Sequence, residues 1–126
     1  MKIKPPKISE HTLQVQCVHW FRVQYPKKII FACPNGGARN IIVATKLKAE
    51  GVLRGVPDLC IPEPTKKYHG LWVELKVGYN KASPEQIQLI RELIFRKYAC
   101  VICYNLDEFM KVIKDYFIDT ITNASI

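Results

Sequence analysis

Residues 70–86, GLWVELKVGYNKASPEQ, contain the clearest structural signals in the chain. In the first half of this stretch, Leu, Val and Leu recur at every second position, which predicts a strand with Glu74 and Lys76 together on the opposite face. Ser83 then begins a helix, because proline follows at the first helical position and Gln86 completes a Ser-x-x-Gln capping box. The segment therefore predicts a strand, a loop and a helix in succession.

Similar signals predict elements on both sides of this segment. Ser9 is a good N-cap for a helix that runs to about Tyr25. Asn105 and Glu108 make a comparable start for a last helix, which ends near Asp119. The other predicted elements are a strand over 28–33, a turn over 34–37, a helix from 39 to about 50, and strands over 58–61 and 99–104. This order predicts an α/β or α+β sandwich with one mixed sheet between helices.

Apolar residues at helical spacing predict the core. In the second helix, Ile42 and Leu47 are expected on the buried side. In the first helix, the same is expected of Leu13, Cys17, Trp20 and Phe21. Four late aromatic residues are expected either in the core or at a contact between two copies of the chain: Tyr104, Phe109, Tyr116 and Phe117.

Size and charge limit the function. The 126 residues suit one domain over 9–126 after a basic arm over 1–8. The net charge of +8, from 19 Lys and Arg against 11 Asp and Glu, favours nucleic acid as a partner, although solubility alone also explains it. An anionic membrane surface is second, but no basic amphipathic helix stands out. The chain has no secretory signal and no apolar run of membrane-spanning length, so we expect an intracellular protein without membrane contact.

The five cysteines favour a reducing compartment, because four of them lie in apolar runs typical of buried thiols. Cys100-x-x-Cys103 is the only pair that suggests zinc. A zinc site would require a second pair at ligand spacing, and positions three apart on a strand face opposite sides. The sequence therefore favours structural cysteines.

Two further short patterns carry candidate chemistry. Pro57-Asp58 and Glu74-Leu75-Lys76 form a PD…ExK pattern of two carboxylates and one amine. Mg²⁺ prefers hard oxygen ligands, which Asp58, Glu74 and the Leu75 backbone carbonyl can supply. Lys76 shares the face of Glu74 and is placed to contact a phosphate or orient a water. Such a group is what metal-dependent phosphodiester hydrolysis requires.

Each half of the pattern has an ordinary structural explanation. Pro-Asp commonly starts a turn, and Glu74 with Lys76 could be an exposed charge pair on a strand. When both halves occur together and flank strands in the right order, the pattern becomes moderately specific for such a metal-dependent site.

Several motifs in this order resemble the VRR-NUC domain, a branch of the PD-(D/E)xK nuclease superfamily. The resemblance extends from about residue 9 to residue 104. It rests on Gly55-Val56-Pro57-Asp58, on residues 71–76 and on Ser83-Pro84-Glu85-Gln86. The upstream matches are Ser9-Glu10 with Gln14, Pro34-Asn35-Gly36-Gly37 with Arg39, and Leu47-Lys48-Ala49-Glu50-Gly51.

The resemblance implies a restriction-endonuclease-like core, with a central mixed β-sheet flanked by helices, and DNA cleavage that depends on Mg²⁺ or Mn²⁺. Members that consist of the domain alone tend to be viral, and are associated with homodimers and with branched DNA such as four-way (Holliday) junctions. Carried onto this chain, the family's catalytic residues are Glu10, Asp58, Glu74, Lys76 and Gln86, and Glu10 is a further candidate metal ligand.

Two of these residues also have structural explanations. Glu10 is an acid in the first turn of a helix, where the helix dipole favours it, and His11 or Gln14 could take its place at the site. Gln86 is fully explained as the capping-box partner of Ser83. The capping role of Gln86 and the catalytic role that the resemblance implies conflict only if one side-chain amide must serve both.

Contacts with DNA are expected between the Asn-Gly-Gly turn and the PD motif. The candidate contacts are Asn35, Gly36, Gly37, Arg39, Lys46, Lys48 and Arg54. For Lys46 and Lys48, a solvated helix face is the alternative. Such contacts position the DNA backbone rather than read bases, so we expect preference for DNA structure over sequence. The alternative function is a DNA-binding module that keeps the fold without cutting.

Overall fold

The computed structural model describes residues 7–34 and 40–126. Within them, four helices and four strands follow one another in the predicted order. In chain order the elements are α1 (Glu10–Gln24), β1 (Phe31–Ala32), α2 (Ile41–Ala49), β2 (Leu59–Ile61), β3 (Leu71–Leu75), α3 (Pro84–Phe95), β4 (Ala99–Cys103) and α4 (Leu106–Phe117).

The described strands form one mixed sheet in the order β1-β2-β3-β4. The pairs β1–β2 and β2–β3 are antiparallel, and β3–β4 is parallel. Asn123 and Ala124 hydrogen bond to the backbone of Cys100, so the end of the chain covers part of the outer edge of β4. The predicted fold class, a mixed sheet flanked by helices, is confirmed.

The main core lies between one face of the sheet and helices α1 and α4. Leu71, Val73 and Leu75 of β3 are fully buried there. Phe109 and Tyr116 of α4 are also fully buried, which places these two aromatic residues in the core. The other face of β3 carries Trp72 and Glu74 and is turned toward α3. The alternation read from the sequence therefore separates the core from the face that carries the polar groups.

Local capping sets the helix starts. The Ser9 and Asn105 side chains accept hydrogen bonds from the Thr12 and Glu108 backbone N–H groups. Ser83 and Gln86 form the complete predicted capping box at α3. At α4 the reciprocal bond is displaced by one residue, because the Glu108 carboxylate accepts from the Tyr104 N–H at 2.6 Å.

The first strand is much shorter than predicted. Only Phe31–Ala32 pairs with β2, and not residues 28–33. The Ile29 N–H instead donates to the Glu63 carboxylate at 2.9 Å, and Arg22 donates to the Ile30 carbonyl at 3.2 Å. At residues 29 and 30, side chains therefore take backbone groups that a longer strand would use.

The predicted apolar side of α2 is not buried. Ile42 is 71% exposed, and no residue of α2 is fully buried, although Leu47 is half-buried. Asn40 caps the start of the helix, and beyond its last residue, Ala49, Gly51 has a φ of +101°, which suits the predicted C′ role. No described residue covers the face of α2 that carries Ile42. The prediction from apolar spacing that Ile42 is buried was therefore wrong. The predicted turn over 34–37 falls largely outside the described residues.

Over residues 7–34 and 40–126, none of the helices combines the length and the apolar character needed to cross a membrane.

Candidate metal-binding site

Three carboxylates from distant parts of the sequence meet at one end of the sheet. Because β2 and β3 are antiparallel, Asp58, just before β2, lies beside the end of β3, where Glu74 is located. Glu10, the first residue of α1, joins them. One oxygen from each carboxylate lies within 4.8 Å of the others.

The backbone of β3 fixes Asp58. The Leu75 N–H donates to Oδ2 of Asp58 at 2.8 Å. Gly55, three residues earlier, has a φ of +93°, and a Cβ there would lie 2.8 Å from the Glu85 carbonyl oxygen. Only glycine accommodates both the conformation and this approach to α3. The loop before Asp58 is therefore held against the first turn of α3.

Glu74 is the buried member of the group, with 1% of its surface exposed. Its Oε2 accepts a hydrogen bond from Gln86 Nε2 at 2.9 Å and lies 3.3 Å from Lys76 Nζ. Its Oε1 is also buried and has no hydrogen-bond partner among the described residues. Oε2 of Glu74 therefore has two polar partners, whereas Oε1 has none among the described residues and is available to a ligand.

The arrangement makes it costly to ionise these carboxyls without a cation. Burial raises the pKa of Glu74 to about 7, and the neighbouring Asp58 charge adds to the rise while Lys76 opposes it. Burial also raises the pKa of Asp58, an effect that the Leu75 N–H opposes and the Glu10 charge reinforces. Both shifts have the causes expected for buried acids that share one site.

These residues fit a hard divalent cation. The group offers carboxylate oxygens only, and Mg²⁺ and Mn²⁺ favour such ligands over nitrogen or sulfur. A divalent charge would offset the repulsion that raises the pKa of Asp58 and Glu74, and it would supply the partner that Glu74 Oε1 lacks. The donor set and the unpaired buried oxygen therefore both suit a metal ion.

The side-chain amide of Gln86 makes two contacts at once. Its amide oxygen accepts from the Ser83 N–H at 2.8 Å, which completes the helix cap, while its amide nitrogen contacts Glu74. The oxygen and the nitrogen of one amide make the two contacts, so the capping explanation and the contact with Glu74 do not conflict.

Sequence reasoning missed Asn80. Its side-chain nitrogen donates to Glu10 Oε2 at 3.4 Å, and the Tyr104 hydroxyl donates to the Asn80 carbonyl at 3.1 Å. Asn80 lies in a loop that is polar without any recognisable spacing, so no sequence signal pointed to it. It connects the β3–α3 loop with the acidic group.

Glu10 is the residue of α1 that belongs to the acidic group. His11 is exposed and does not belong to the acidic group, and Gln14 is half-buried. The Leu75 backbone contributes its N–H to Asp58, whereas the role of its carbonyl as a metal ligand stays a prediction.

The predicted DNA contacts are only partly described. Lys46, Lys48 and Arg54 are exposed, and Lys48 and Arg54 line the same surface groove beside α2. None of the three belongs to the acidic group. Asn35, Gly36, Gly37 and Arg39 lie outside the described residues, so their predicted contacts stay predictions.

The cysteines are arranged as the strand pattern predicted. Cys103 belongs to the main core, whereas Cys100, also buried, lies outside it. Burial raises the pKa of each thiol to about 12, which suits inert structural residues. Among the described residues these two cysteines belong to no cluster with metal-binding geometry.

Comparison with known proteins agrees with this architecture. A search of curated proteins found no match. One solved structure, of a VRR_NUC domain protein, aligns with a TM-score of 0.73 and 26% sequence identity, covering 96% of this chain and 97% of the other. The family model of the VRR-NUC domain matches residues 4–105. Given this match and the similar fold, the chain belongs to the VRR-NUC domain family.

Proposed function

We propose that this protein is a DNA endonuclease that uses Mg²⁺ or Mn²⁺ to hydrolyse phosphodiester bonds, with preference for branched DNA such as four-way junctions. The observation that carries the proposal is the meeting of Glu10, Asp58 and Glu74 within 4.8 Å. The Lys76 ammonium lies beside them, 3.3 Å from Glu74. Membership of a nuclease family supports the same reaction.

In this proposal the side chains have separate tasks. Asp58 and Glu74 hold the cation, with Glu10 as a third ligand and the Leu75 carbonyl as a backbone ligand. When bound, a divalent cation makes water more nucleophilic and stabilises the anionic transition state. Lys76 adds a positive charge for the phosphate, and Gln86 and the Leu75 N–H keep the Glu74 and Asp58 carboxylates oriented.

The basic surface supports DNA as the substrate. Lys46 and Lys48 in the last turn of α2, together with Arg54, are exposed cations that would neutralise phosphates. Such contacts follow the backbone and carry no sequence information, which agrees with a preference for DNA structure.

We also propose a homodimer in a reducing, intracellular compartment. Symmetric cutting of a four-way junction requires two sites related by a twofold axis. The five cysteines are all free thiols, and four of them are buried, which suits a reducing environment. Size-exclusion light scattering tests the dimer, and a monomeric mass at working concentration would contradict it.

The nuclease proposal is tested with supercoiled plasmid and a synthetic four-way junction, each incubated with Mg²⁺, Mn²⁺ or EDTA. We expect cleavage with either metal, none with EDTA, and a loss of at least about 100-fold in Asp58→Ala and Lys76→Ala. Asp107→Ala removes an exposed carboxylate in the first turn of α4 and serves as the matched control. Tight DNA binding by the wild type without cleavage under any condition would instead support a non-catalytic module.

A further inference from the structure

Tyr79 is the most exposed large apolar or aromatic residue in the described part of the chain, with 98% of its surface open to solvent. It lies in the loop between β3 and α3. A single exposed aromatic is ordinary on a protein surface. The support and the surroundings of this loop therefore decide whether Tyr79 has a role.

The backbone on both sides of Tyr79 is held in place. Val77 is buried in the core, and its carbonyl accepts from the Asn80 N–H at 3.2 Å, which closes a tight turn around Gly78 and Tyr79. Gly78 adopts a φ of +59°. On the far side, the Tyr104 hydroxyl donates to the Asn80 carbonyl at 3.1 Å. The ring is thus free, but the chain that presents it is anchored.

The same loop reaches the acidic group. Asn80, the next residue, donates to Glu10 Oε2 at 3.4 Å. Tyr79 is therefore one residue away from a side chain that contacts the candidate metal ligand Glu10.

Two cations lie in this loop or beside its backbone. Lys7 passes close to Gly78, because a Cβ on Gly78 would lie 3.5 Å from Lys7 Nζ. Lys81, two residues after Tyr79, is exposed. An exposed aromatic ring with ammonium groups nearby is the combination that binds single-stranded nucleic acid, where bases stack on the ring and cations neutralise the phosphates.

We infer that Tyr79 is a stacking platform for an unpaired DNA base close to the cleaved phosphate. The inference rests on the proposed nuclease function and narrows its substrate class within branched DNA: the branch must hold at least one unpaired base, as at a flap or at a junction whose central base pairs have opened. Inside a regular duplex, neighbouring bases cover both faces of each base, so the tyrosine ring finds a partner only where pairing is interrupted. A contact of this kind would give preference for DNA structure without any reading of sequence.

The test compares the binding of a flap, a single strand and a fully paired duplex of equal length, with Ca²⁺ replacing Mg²⁺ to separate binding from cleavage. The flap carries 2-aminopurine at the unpaired position beside the branch, and quenching of its fluorescence reports stacking. We expect the wild type to quench the signal. We expect Tyr79→Ala to lose the quenching and to bind the flap about tenfold more weakly, with duplex binding within about twofold.

Two further variants separate the ring from other effects. Tyr79→Phe keeps the ring and should retain both quenching and affinity. Phe95→Ala removes an aromatic that is 84% exposed at the opposite end of α3 and should leave both unchanged. If Tyr79→Phe loses as much quenching and affinity as Tyr79→Ala, the hydroxyl makes the contact and the stacking role is overturned. An equal loss of affinity for the flap and for the duplex in Tyr79→Ala would overturn the proposed substrate class.

Cleavage of the flap with Mg²⁺, measured on the same preparations, distinguishes this inference from the nuclease proposal. Cleavage by the wild type with unchanged binding in Tyr79→Ala overturns the stacking role and leaves the nuclease. Quenching that depends on Tyr79, without cleavage by the wild type, overturns the nuclease and leaves Tyr79 as a base-binding residue. No binding of any DNA by the wild type overturns both.

Discussion

The amide nitrogen of Gln86 donates a hydrogen bond of 2.9 Å to Oε2 of Glu74. This bond joins the first turn of α3 to the buried carboxylate of β3. Because Gln86 is also the capping partner of Ser83, the start of the helix and the orientation of Glu74 depend on one side chain. A change that moves this helix terminus should therefore also disturb the acidic group.

The two roles of Gln86 can be separated by mutation. Ser83→Ala removes half of the cap and should cost about 1 kcal/mol of unfolding free energy, with cleavage within about threefold of wild type because the Gln86–Glu74 bond remains. Gln86→Ala should cost a similar free energy and also reduce cleavage about tenfold or more, as for other residues that orient metal ligands. Urea denaturation and plasmid nicking measure the two effects. Equal cleavage losses in both variants would show that Gln86 acts only through the cap.

The pKa of Glu74 predicts how the stability of the metal-free protein changes with pH. Burial raises this pKa from 4.5 to about 7, so the folded protein holds the proton more tightly than the unfolded chain does. Stability then falls as pH rises through this window and levels off above it. Between pH 5.5 and 8 the expected loss from Glu74 is about 2 kcal/mol, and the raised pKa of Asp58 acts in the same direction.

Urea denaturation in EDTA at the two pH values measures this loss. Glu74→Gln should reduce it and be more stable than wild type at pH 8, because the neutral amide need not ionise in a buried position. Mg²⁺ or Mn²⁺ should restore stability to the wild type at pH 8 and not to Glu74→Gln. A wild-type protein that becomes more stable between pH 5.5 and 8 in EDTA would contradict the prediction.

Asn80 should act as a positioning residue for Glu10, to which it donates a hydrogen bond. Asn80→Ala should raise the metal concentration needed for half-maximal cleavage about tenfold, as loss of a ligand's outer partner typically does. Tyr104→Phe removes the hydroxyl that holds the Asn80 carbonyl and should shift the requirement less, in the same direction. Asn105→Ala, which removes the cap of α4, should lower stability only. An unchanged metal requirement in Asn80→Ala would mean that Glu10 needs no such support.

Gly55 and Gly51 form a matched pair for the loop that leads to Asp58. Both have positive φ, but a Cβ on Gly55 would meet the Glu85 backbone at 2.8 Å, whereas one on Gly51 would meet nothing within 4 Å. Gly51→Ala should therefore cost only the backbone strain, about 1 kcal/mol, and Gly55→Ala about 3 kcal/mol or more. Gly55→Ala should also lower cleavage, since it displaces the loop before Asp58. Similar unfolding free energies for the two variants would show that the contact with α3 is unimportant.

The basic residues near α2 should affect binding through charge alone. Substituting Lys46, Lys48 or Arg54 with alanine should weaken DNA binding regardless of sequence, and each change should reduce the salt slope by about 1. Lys66→Ala removes an exposed lysine outside this region and should leave the slope unchanged. Fluorescence anisotropy across a series of salt concentrations measures these effects. An equal decrease of the salt slope in Lys66→Ala would mean that the cations that contact DNA are not localised near α2.

Helix starts and the main strand could be predicted because their causes are local. The cap bonds at Ser9, Ser83 and Asn105 join residues three apart, so the sequence contains both partners side by side. The alternation from Leu71 to Leu75 depends only on strand geometry. The same local signals failed at α2 and β1, because burial of Ile42 and pairing of residues 28–30 depend on what lies opposite them.

The order of the elements and the family could be read from the sequence alone. So could the chemical types at the candidate site, two carboxylates and an amine in a fixed pattern. The folded chain was needed to show that Glu10 meets Asp58 and Glu74, that Gln86 contacts both the cap and the Glu74 carboxylate, and that Asn80 contacts Glu10. The physical reason is distance along the chain. A cap or a strand face arises from neighbours, whereas the site arises from antiparallel strand pairing and from helices packed against the sheet, which no short stretch of sequence specifies.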